Sequence, residues 1–357
     1  MSAGAGAGTR AGGAPPRACL FGCAGPDLRP EERALFARAQ PWGFILFARN
    51  VETPRQLIRL TGALREAVGR DAPVLIDQEG GRVARMGPPH WRLWRAPLDQ
   101  MRAAPSPGAA ARAMTLRYRL IAAELRAVGI DVNCAPLADL ARPDTHPVLR
   151  DRCYGPDPVT VIGAARAVAR GLTEGGVLPV LKHIPGHGRA TADSHRELPR
   201  VEAPEATLEA EDFAAFRALA DLPLAMTAHV VYAAIDPERP ATTSPEMIRR
   251  IRASIGFDGL LMTDDISMGA LSGPVAARAR AALAAGCDVV LHCNGDPDEM
   301  AALAEAVPQM TPRAASRAAA AEAARRPPAP VDIAALEADL DDLLADGADD
   351  RERGSQL

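Results

Sequence analysis

The stretch VLPVLKHIPGHG, residues 177–188, places five apolar positions directly before a lysine and two histidines. The segment RATADSH, residues 189–195, follows it and adds Asp193 and His195. A short apolar strand that ends in titratable side chains is how an α/β barrel presents chemistry at its C-terminal rim. The stretch therefore predicts an enzyme built on such a barrel.

Apolar runs of strand length recur along the chain, with amphipathic segments of helical period between them. The predicted strands are residues 18–22, 43–47, 73–76, 130–135, 177–183, 223–229, 259–263 and 289–293. The clearest predicted helices are residues 54–68, 109–128, 158–174, 208–220 and 274–285. Eight strands in repeated β-then-α order are typical of an α/β fold of the (β/α)8 TIM-barrel type. A doubly wound sheet would favour a G-x-G-x-x-G turn after an early strand, and no such turn is present.

Length and composition favour one catalytic domain. The chain has 357 residues of which 48% are hydrophobic, enough for one barrel of about 250 residues with tails. We expect a disordered leader at residues 1–17, the barrel at 18–324 and an acidic C-terminal helix with a polar tail at 325–357. The helix is predicted over residues 332–346, where leucine or isoleucine recurs at helical spacing.

The charge pattern points to a small substrate. The net charge is only -4 and the arginines are scattered, so neither nucleic acid nor an anionic membrane is predicted as a partner. The N-terminal segment has neither the cationic start nor the apolar run of a signal peptide, and the six cysteines form no C-x-x-C pair. These features predict a cytoplasmic protein with core thiols. We expect a monomer without cofactor or metal.

Titratable side chains follow several of the predicted strands. Because the C-terminal ends of barrel strands meet at one rim, we expect these side chains to converge there. Four of the seven histidines belong to this set. Its members are Asp77, Asp139, Arg152, Lys182, His183, His187, His195, His229, Asp264 and Asp265.

The segments around these residues resemble the bacterial β-N-acetylglucosaminidases of glycoside hydrolase family 3. The resemblance spans about residues 18–310, and the K-H-x-P-G-H-G block followed by D-S-H is its most specific part. The matching segments are GFILFARN (43–50), IDQEGGRV (76–83), DRCYG (151–155), residues 182–195, MTAH (226–229) and MTDDISM (262–268).

The resemblance implies a retaining glycosidase with a covalent glycosyl-enzyme intermediate and Asp264 as the nucleophile. Cations such as Lys182 and Arg152 would favour the ionised carboxylate that this role requires. Neighbouring residues on a strand point to opposite sides, so only one of two adjacent aspartates can face the sugar. Asp265 is therefore expected to be a hydrogen-bonding or structural carboxylate.

The resemblance assigns the acid/base role to His195, oriented by Asp193. A histidine titrates near neutral pH, so it can protonate the leaving oxygen and later deprotonate water. Gly186, Gly188 and the small residues at 190–192 predict a loop that can bring the pair to the sugar.

The resemblance also implies which residues of this chain bind the sugar. They are Asp77, Arg85, Arg152, Lys182 and His183. For Arg82 we expect an internal ion pair with an acid such as Glu79. The implied activity is exo-cleavage of terminal N-acetylglucosamine from peptidoglycan fragments during cell-wall recycling.

Other roles stay open around this set. His187 and His229 are expected to support the site rather than to contact the sugar. Trp91 and Trp94 fit sugar stacking and coverage of the barrel equally well.

Three departures from the family pattern stand out. Ile184 replaces an aromatic residue, and Cys153 with Tyr154 replaces a Ser-Phe pair. The third is the segment 142–150, which carries His146 where the pattern is usually Asn-rich. It leaves the preference for the leaving group open.

Three other functions compete with hydrolysis by this route. A histidine-rich rim would also suit a metal-dependent hydrolase, but no H-E-x-x-H is present and the ammonium of Lys182 would repel a cation. A phosphorylase on the same scaffold is the second, because a histidine acid/base repels phosphate less than a carboxylate does. The third is a non-catalytic sugar-binding module, which would not need the set Asp264, Asp193 and His195.

Overall fold

The computed structural model of the protein describes residues 14–354, and side chains as far as residue 345. Residues 1–13 of the predicted leader lie outside the described residues. Eight parallel strands close a barrel in which each strand pairs with its neighbours in chain order. They are β1 (Arg17–Phe21), β2 (Pro41–Leu46), β3 (Val74–Ile76), β4 (Val132–Asn133), β5 (Leu178–Ile184), β6 (Leu224–Thr227), β7 (Leu260–Asp265) and β8 (Val289–His292).

Helices surround the barrel and follow its strands along the chain. They are α1 (Pro30–Ala39), α2 (Pro54–Val68), α3 (Pro97–Ala103), α4 (Pro107–Ala127), α5 (Pro147–Arg150), α6 (Pro158–Glu174), α7 (Glu205–Ala210), α8 (Asp212–Arg217), α9 (Pro245–Ala253), α10 (Val275–Ala285), α11 (Pro297–Ala306), α12 (Pro312–Ala323) and α13 (Ile333–Gly354). The predicted (β/α)8 barrel is thereby confirmed. Among the described helices, not one combines the length and hydrophobicity that crossing a lipid bilayer requires.

Short strands outside the barrel form two small sheets. One pairs Gln78–Gly80 with Val83–Ala84, and the other joins Arg200–Val201, Val231–Tyr232 and Asp236–Pro240. The first lies directly after β3, so it fixes the course of the chain at the rim of the barrel. Gly80 adopts φ 99°, and a Cβ there would lie 1.8 Å from Nη2 of the buried Arg117, which only glycine permits.

Strand β4 is shorter than the predicted run of residues 130–135. Side-chain acceptors add to the backbone hydrogen bonds at both of its ends. Oδ1 of Asp131 accepts a hydrogen bond from the N–H of Val74 at 2.8 Å, and Oδ1 of Asn133 accepts one from the N–H of Gln78 at 3.0 Å. The apolar pattern predicted the strand. It could not show that side chains of this segment accept hydrogen bonds from backbone N–H groups of the neighbouring segment.

Two predicted helices differ from the observed ones. The segment 208–220 was expected to be one helix, whereas α7 and α8 meet at Glu211, whose φ of -117° and ψ of -72° break the helix. Glu211 and Asp212, at this break, both form ion pairs with Arg189 on the loop after β5. The C-terminal helix was expected to end at residue 346 and continues to Gly354; the segment 346–354 contains no proline that would end it.

The core is continuous from the barrel interior to the inner faces of the helices. All six cysteines are buried and free, which confirms the predicted core thiols.

Candidate active site

A cavity of about 250 Å³ opens at the C-terminal rim of the barrel. Its lining includes residues from the ends of β3, β5, β7 and β8 and from the loops after β4 and β5. The predicted site residues among its lining are Asp77, Arg85, Arg152, Lys182, His183, His195 and Asp264. Asp193 is the one remaining predicted site residue, and it contacts this set through His195.

Five charged side chains form an alternating chain of ion pairs beneath the cavity. Arg85 binds Asp77 at 3.1 Å, and Nζ of Lys182 lies 2.8 Å from Asp77 and 2.6 Å from Glu79. Glu79 also accepts two hydrogen bonds from Arg152, at 2.8 and 2.9 Å. We call these five residues the charge chain. It holds three cations and two carboxylates, so it carries one net positive charge.

Burial and pairing set the protonation of the charge chain. Burial alone would raise the pKa of Asp77 and of Glu79, but the adjacent cations outweigh it and hold both pKa values below their usual range. Burial would lower the pKa of Lys182, and its two carboxylates instead raise it above the ordinary value. All five groups are therefore charged at neutral pH.

Arg82 pairs with an acid, as expected, but that acid is Asp151 and not Glu79. Both Glu79 oxygens are taken by Lys182 and Arg152, which reach this fully buried carboxylate from β5 and from the loop after β4. Arg82 instead lies 3.4 Å from Asp151, and both of these side chains are about two-fifths exposed. Arg82 thus lines the cavity as a partly solvated cation.

Two residues for which the sequence predicted no catalytic or sugar-binding role are needed to build the site. Glu79 is one, and its spacing of two from Asp77 on an extended segment was the available signal, because such residues share one side. Asp139 is the other: it accepts hydrogen bonds from Nδ1 of His183 at 2.7 Å and from the N–H of His187 at 2.6 Å. Its position after β4 placed it on the rim but did not reveal these partners.

Asp264 ends β7 beside the charge chain. Burial alone would raise its pKa, but the adjacent His183 and the N–H of Asp265, which donates to Oδ1 at 2.8 Å, hold it below the ordinary value. Asp265 binds Ser267 through its hydroxyl at 2.6 Å and accepts the N–H of Cys293 at 3.2 Å. The prediction that Asp265 serves hydrogen bonding is confirmed.

His195 and Asp193 form a pair on the loop after β5. Nδ1 of His195 lies 2.7 Å from Oδ1 of Asp193, which also accepts the backbone N–H of His195 at 3.0 Å. Because Nδ1 is bound to Asp193, Nε2 is the ring nitrogen that can exchange a proton with a ligand in the cavity. The His195 side chain is 62% exposed, so the ring contacts both the cavity and solvent.

Hydrogen bonds fix the loop at both ends. Thr145 donates to the carbonyl of Gly188, and the N–H of Gly269 donates to the carbonyl of His195 at 3.2 Å. A Cβ at Gly188 would lie 2.2 Å from the carbonyl oxygen of Leu140, so this close approach requires glycine. The loop is therefore held against the loops that follow β4 and β7.

His229 and His187 are buried next to the site, whereas the two tryptophans considered for sugar stacking lie away from it. Nδ1 of His229 lies 2.7 Å from Thr242, and its Nε2 lies 3.0 Å from the carbonyl of Asp265. Burial followed by the neighbouring His183 lowers the pKa of His187 to about 4, so its ring is neutral at pH 7. Trp91 and Trp94 are not part of the cavity lining. In the described part of the chain, no three His, Cys, Asp or Glu side chains are grouped so that they could hold a metal ion.

Known proteins match the chain over most of its length. The model of the "Glycosyl hydrolase family 3 N terminal domain" matches residues 23–326. A β-hexosaminidase of Alkalilimnicola ehrlichii is 40% identical over 301 residues, which cover 82% of this chain and 85% of that protein. NagZ from Neisseria gonorrhoeae, solved in complex with N-trifluoroacetyl-D-glucosamine, has a TM-score of 0.79 and 30% identity and covers 93% of this chain and 99% of its own.

A further solved structure is longer than this chain. It is a glycoside hydrolase family 3 β-N-acetylglucosaminidase from Paenibacillus sp. str. FPU-7, with a TM-score of 0.79 and 29% identity. The match covers 86% of this chain and 61% of that one. The present chain thus corresponds to about three fifths of the Paenibacillus chain.

The charge chain gives a prediction about stability. Glu79→Gln keeps the side-chain volume but leaves the buried Lys182 and Arg152 with one carboxylate fewer. We expect it to lower the free energy of unfolding by about 3–5 kcal/mol, the usual effect of breaking a buried ion pair. Urea unfolding followed by circular dichroism measures this.

The matched control is Glu66→Gln, because Glu66 pairs with Arg33 on the exposed surface. Exposed pairs contribute at most about 1 kcal/mol, so this variant should unfold close to the parent. Equal losses for the two variants would contradict the role given to the charge chain.

Proposed function

This chain belongs to glycosyl hydrolase family 3 and is a glycoside hydrolase of the β-N-acetylhexosaminidase type, and from that premise we propose that it is a retaining exo-β-N-acetylglucosaminidase. The observation that carries the proposal is that a low-pKa carboxylate, Asp264, and the exposed pair of His195 with Asp193 adjoin one small cavity. We propose peptidoglycan fragments as substrate and the cytoplasm as location.

The cavity suits one terminal sugar. Its volume of about 250 Å³ lies just below the range of about 300–1,000 Å³ that takes drug-sized ligands, so a single ring fits better than a chain of sugars. Charged groups that can bind hydroxyl and amide groups lie at its base. The Neisseria relative was solved with an N-acylated glucosamine, which supports the N-acetyl sugar in this proposal.

In the proposed mechanism Asp264 attacks the anomeric carbon. An attacking carboxylate must be ionised, and the lowered pKa of Asp264 provides this at neutral pH. The net positive charge chain lies nearby and favours the same state. Asp77 and Lys182 would bind hydroxyl groups of the sugar, while His183, held by Asp139, and Arg152, held by Glu79, would contact it in fixed orientations.

His195 would act as acid and then as base. Asp193 accepts a hydrogen bond from Nδ1–H, which orients the ring and stabilises its protonated form. Nε2–H can then protonate the leaving oxygen, and the neutral ring can next take a proton from the water that hydrolyses the intermediate. Two inversions at the anomeric carbon retain its β configuration.

Two properties of the chain support the remaining parts of the proposal. The six free, buried thiols fit a reducing compartment, which supports the cytoplasm. The choice of peptidoglycan fragments follows from the resemblance to bacterial β-N-acetylglucosaminidases, whose motifs the chain carries from residue 43 to residue 268.

The first test concerns the nucleophile. Asp264→Ala should reduce turnover of a chromogenic N-acetylglucosaminide by roughly 10⁴-fold or more, because no other group would form the covalent bond. Asp339→Ala, which removes a half-exposed carboxylate on α13, should keep the parent rate. Activity of the Asp264 variant within about tenfold of the parent, with an unchanged circular dichroism spectrum, would rule out the assignment.

The second test concerns stereochemistry and the acceptor. Proton NMR should show the β-anomer as the first product, also in phosphate buffer, and chelators should leave the rate unchanged. Appearance of the α-anomer would indicate an inverting enzyme, and a sugar phosphate would indicate the phosphorylase. Loss of activity in EDTA that zinc restores would favour the metal-dependent hydrolase.

The third test separates acid catalysis from nucleophilic attack. His195→Ala should slow the hydrolysis of substrates with poor leaving groups by about 10²- to 10⁴-fold. An activated aryl glycoside needs little protonation of its leaving group, so the rate of its glycosylation step should fall much less. Asp193→Asn should follow the same pattern more weakly, because it keeps the imidazole. Steady-state and burst kinetics on both substrate types measure this, and equal losses would count against His195 as the acid.

A further inference from the structure

A second and larger cavity adjoins the active site. It has a volume of about 580 Å³ and lies between α3, the start of α4 and the segment 141–156. Most of its wall is apolar and includes Leu98, Met101, Pro143 and Tyr154. Its size falls within the range of cavities that bind small organic ligands.

Two arginines give this cavity unneutralised positive charge. Arg102 and Arg150 belong to its lining, and within the described residues neither side chain has a hydrogen bond or ion pair. Asp151 pairs with Arg82 and Asp157 caps α6, while Asp99 on α3 and Asp144 in the segment form no ion pair with either arginine in the described part of the chain. A complementary ligand therefore combines an apolar body with a negative charge.

A narrow ridge separates the two cavities. Val148 and Arg152 line the active-site cavity, while Arg150, between them in sequence, lines the second one. Consecutive Cα atoms are about 3.8 Å apart, so the two linings come within about 8 Å along the chain. A substrate whose sugar occupies the first cavity can extend its leaving group across this ridge.

We propose that the cavity lined by Arg102 and Arg150 binds the far end of the leaving group, and that it selects leaving groups with an apolar chain that ends in a carboxylate. This inference rests on the proposed glycosidase function and adds to it a class of substrate. The segment 142–150, which contributes Pro143 and Arg150, is also where the sequence departs from the family pattern.

The experiment compares two matched sets of β-N-acetylglucosaminides. Their leaving groups carry the same alkyl chain, of graded length, and end either in a carboxylate or in its neutral carboxamide. For the lengths that reach the cavity, the parent should have a KM about tenfold lower for the carboxylate, with similar kcat, and salt should reduce the difference. In the double variant Arg102→Gln with Arg150→Gln, the two KM values should become equal while the carboxamide is turned over as in the parent.

The control is Arg126→Gln. Arg126 is an exposed arginine on the same helix α4, sixteen residues beyond Ala110 of the cavity wall and so about 24 Å away. This variant should keep the lower KM of the parent for the carboxylate substrate. A lost preference here would show a general effect of protein charge and would overturn the proposal.

Two further outcomes would also overturn it. They are equal KM values for both substrates in the parent at every chain length, and a preference that persists in the double variant. In either case hydrolysis of the carboxamide would still uphold the glycosidase. If the parent hydrolyses neither substrate nor a chromogenic N-acetylglucosaminide, the proposed function itself fails, and the inference about the leaving group fails with it.

Discussion

The interaction on which the rim of this barrel depends is the pairing of Lys182 with Asp77 and Glu79. Buried charges are costly unless partners offset the loss of water, and here the ammonium has a carboxylate on either side at 2.8 and 2.6 Å. Because Lys182 belongs to β5 while Asp77 and Glu79 follow β3, their pairing joins the ends of the two strands that flank β4 at the height of the cavity. Arg85 and Arg152 then extend the pairing outward. The cavity base is thus a set of groups whose positions and charges depend on one another.

Asp139, on the loop after β4, complements this arrangement at the end of β5. It binds the ring of His183 as well as the backbone of His183 and His187, so the chain is held where the strand becomes the loop. That loop then bends back to the rim, where its far end binds the loop after β7 through His195. A carboxylate on the loop after β4 therefore determines where the His195 loop begins.

The fold could be predicted because the periodicity of the apolar residues and the order of strands and helices can both be read from the sequence. Apolar runs marked all eight strands, and helices α2 and α6 have the predicted bounds. The convergence of the rim residues also followed from topology alone. What could not be predicted was the partner of each charge: Glu79 was the example of an acid for Arg82, whereas Arg152 and Lys182 occupy that carboxylate and Arg82 pairs with Asp151. Pairing inside a rim depends on which side chains reach the same point from different strands, and spacing along one segment does not contain that information.

The two proposed reactive groups lie in opposite environments, and the chemistry explains why. A nucleophile must be ionised when it attacks, so Asp264 gains from a fixed, partly buried position beside positive charge. An acid/base must change its protonation state in every cycle, and a group sealed among fixed charges would resist this change. His195 is 62% exposed and has a single carboxylate partner, so its proton can be replaced from solvent while Asp193 keeps the ring oriented. Placing the first group at the end of a barrel strand and the second on a loop satisfies both demands, since the strand supplies rigidity and the loop supplies access to water.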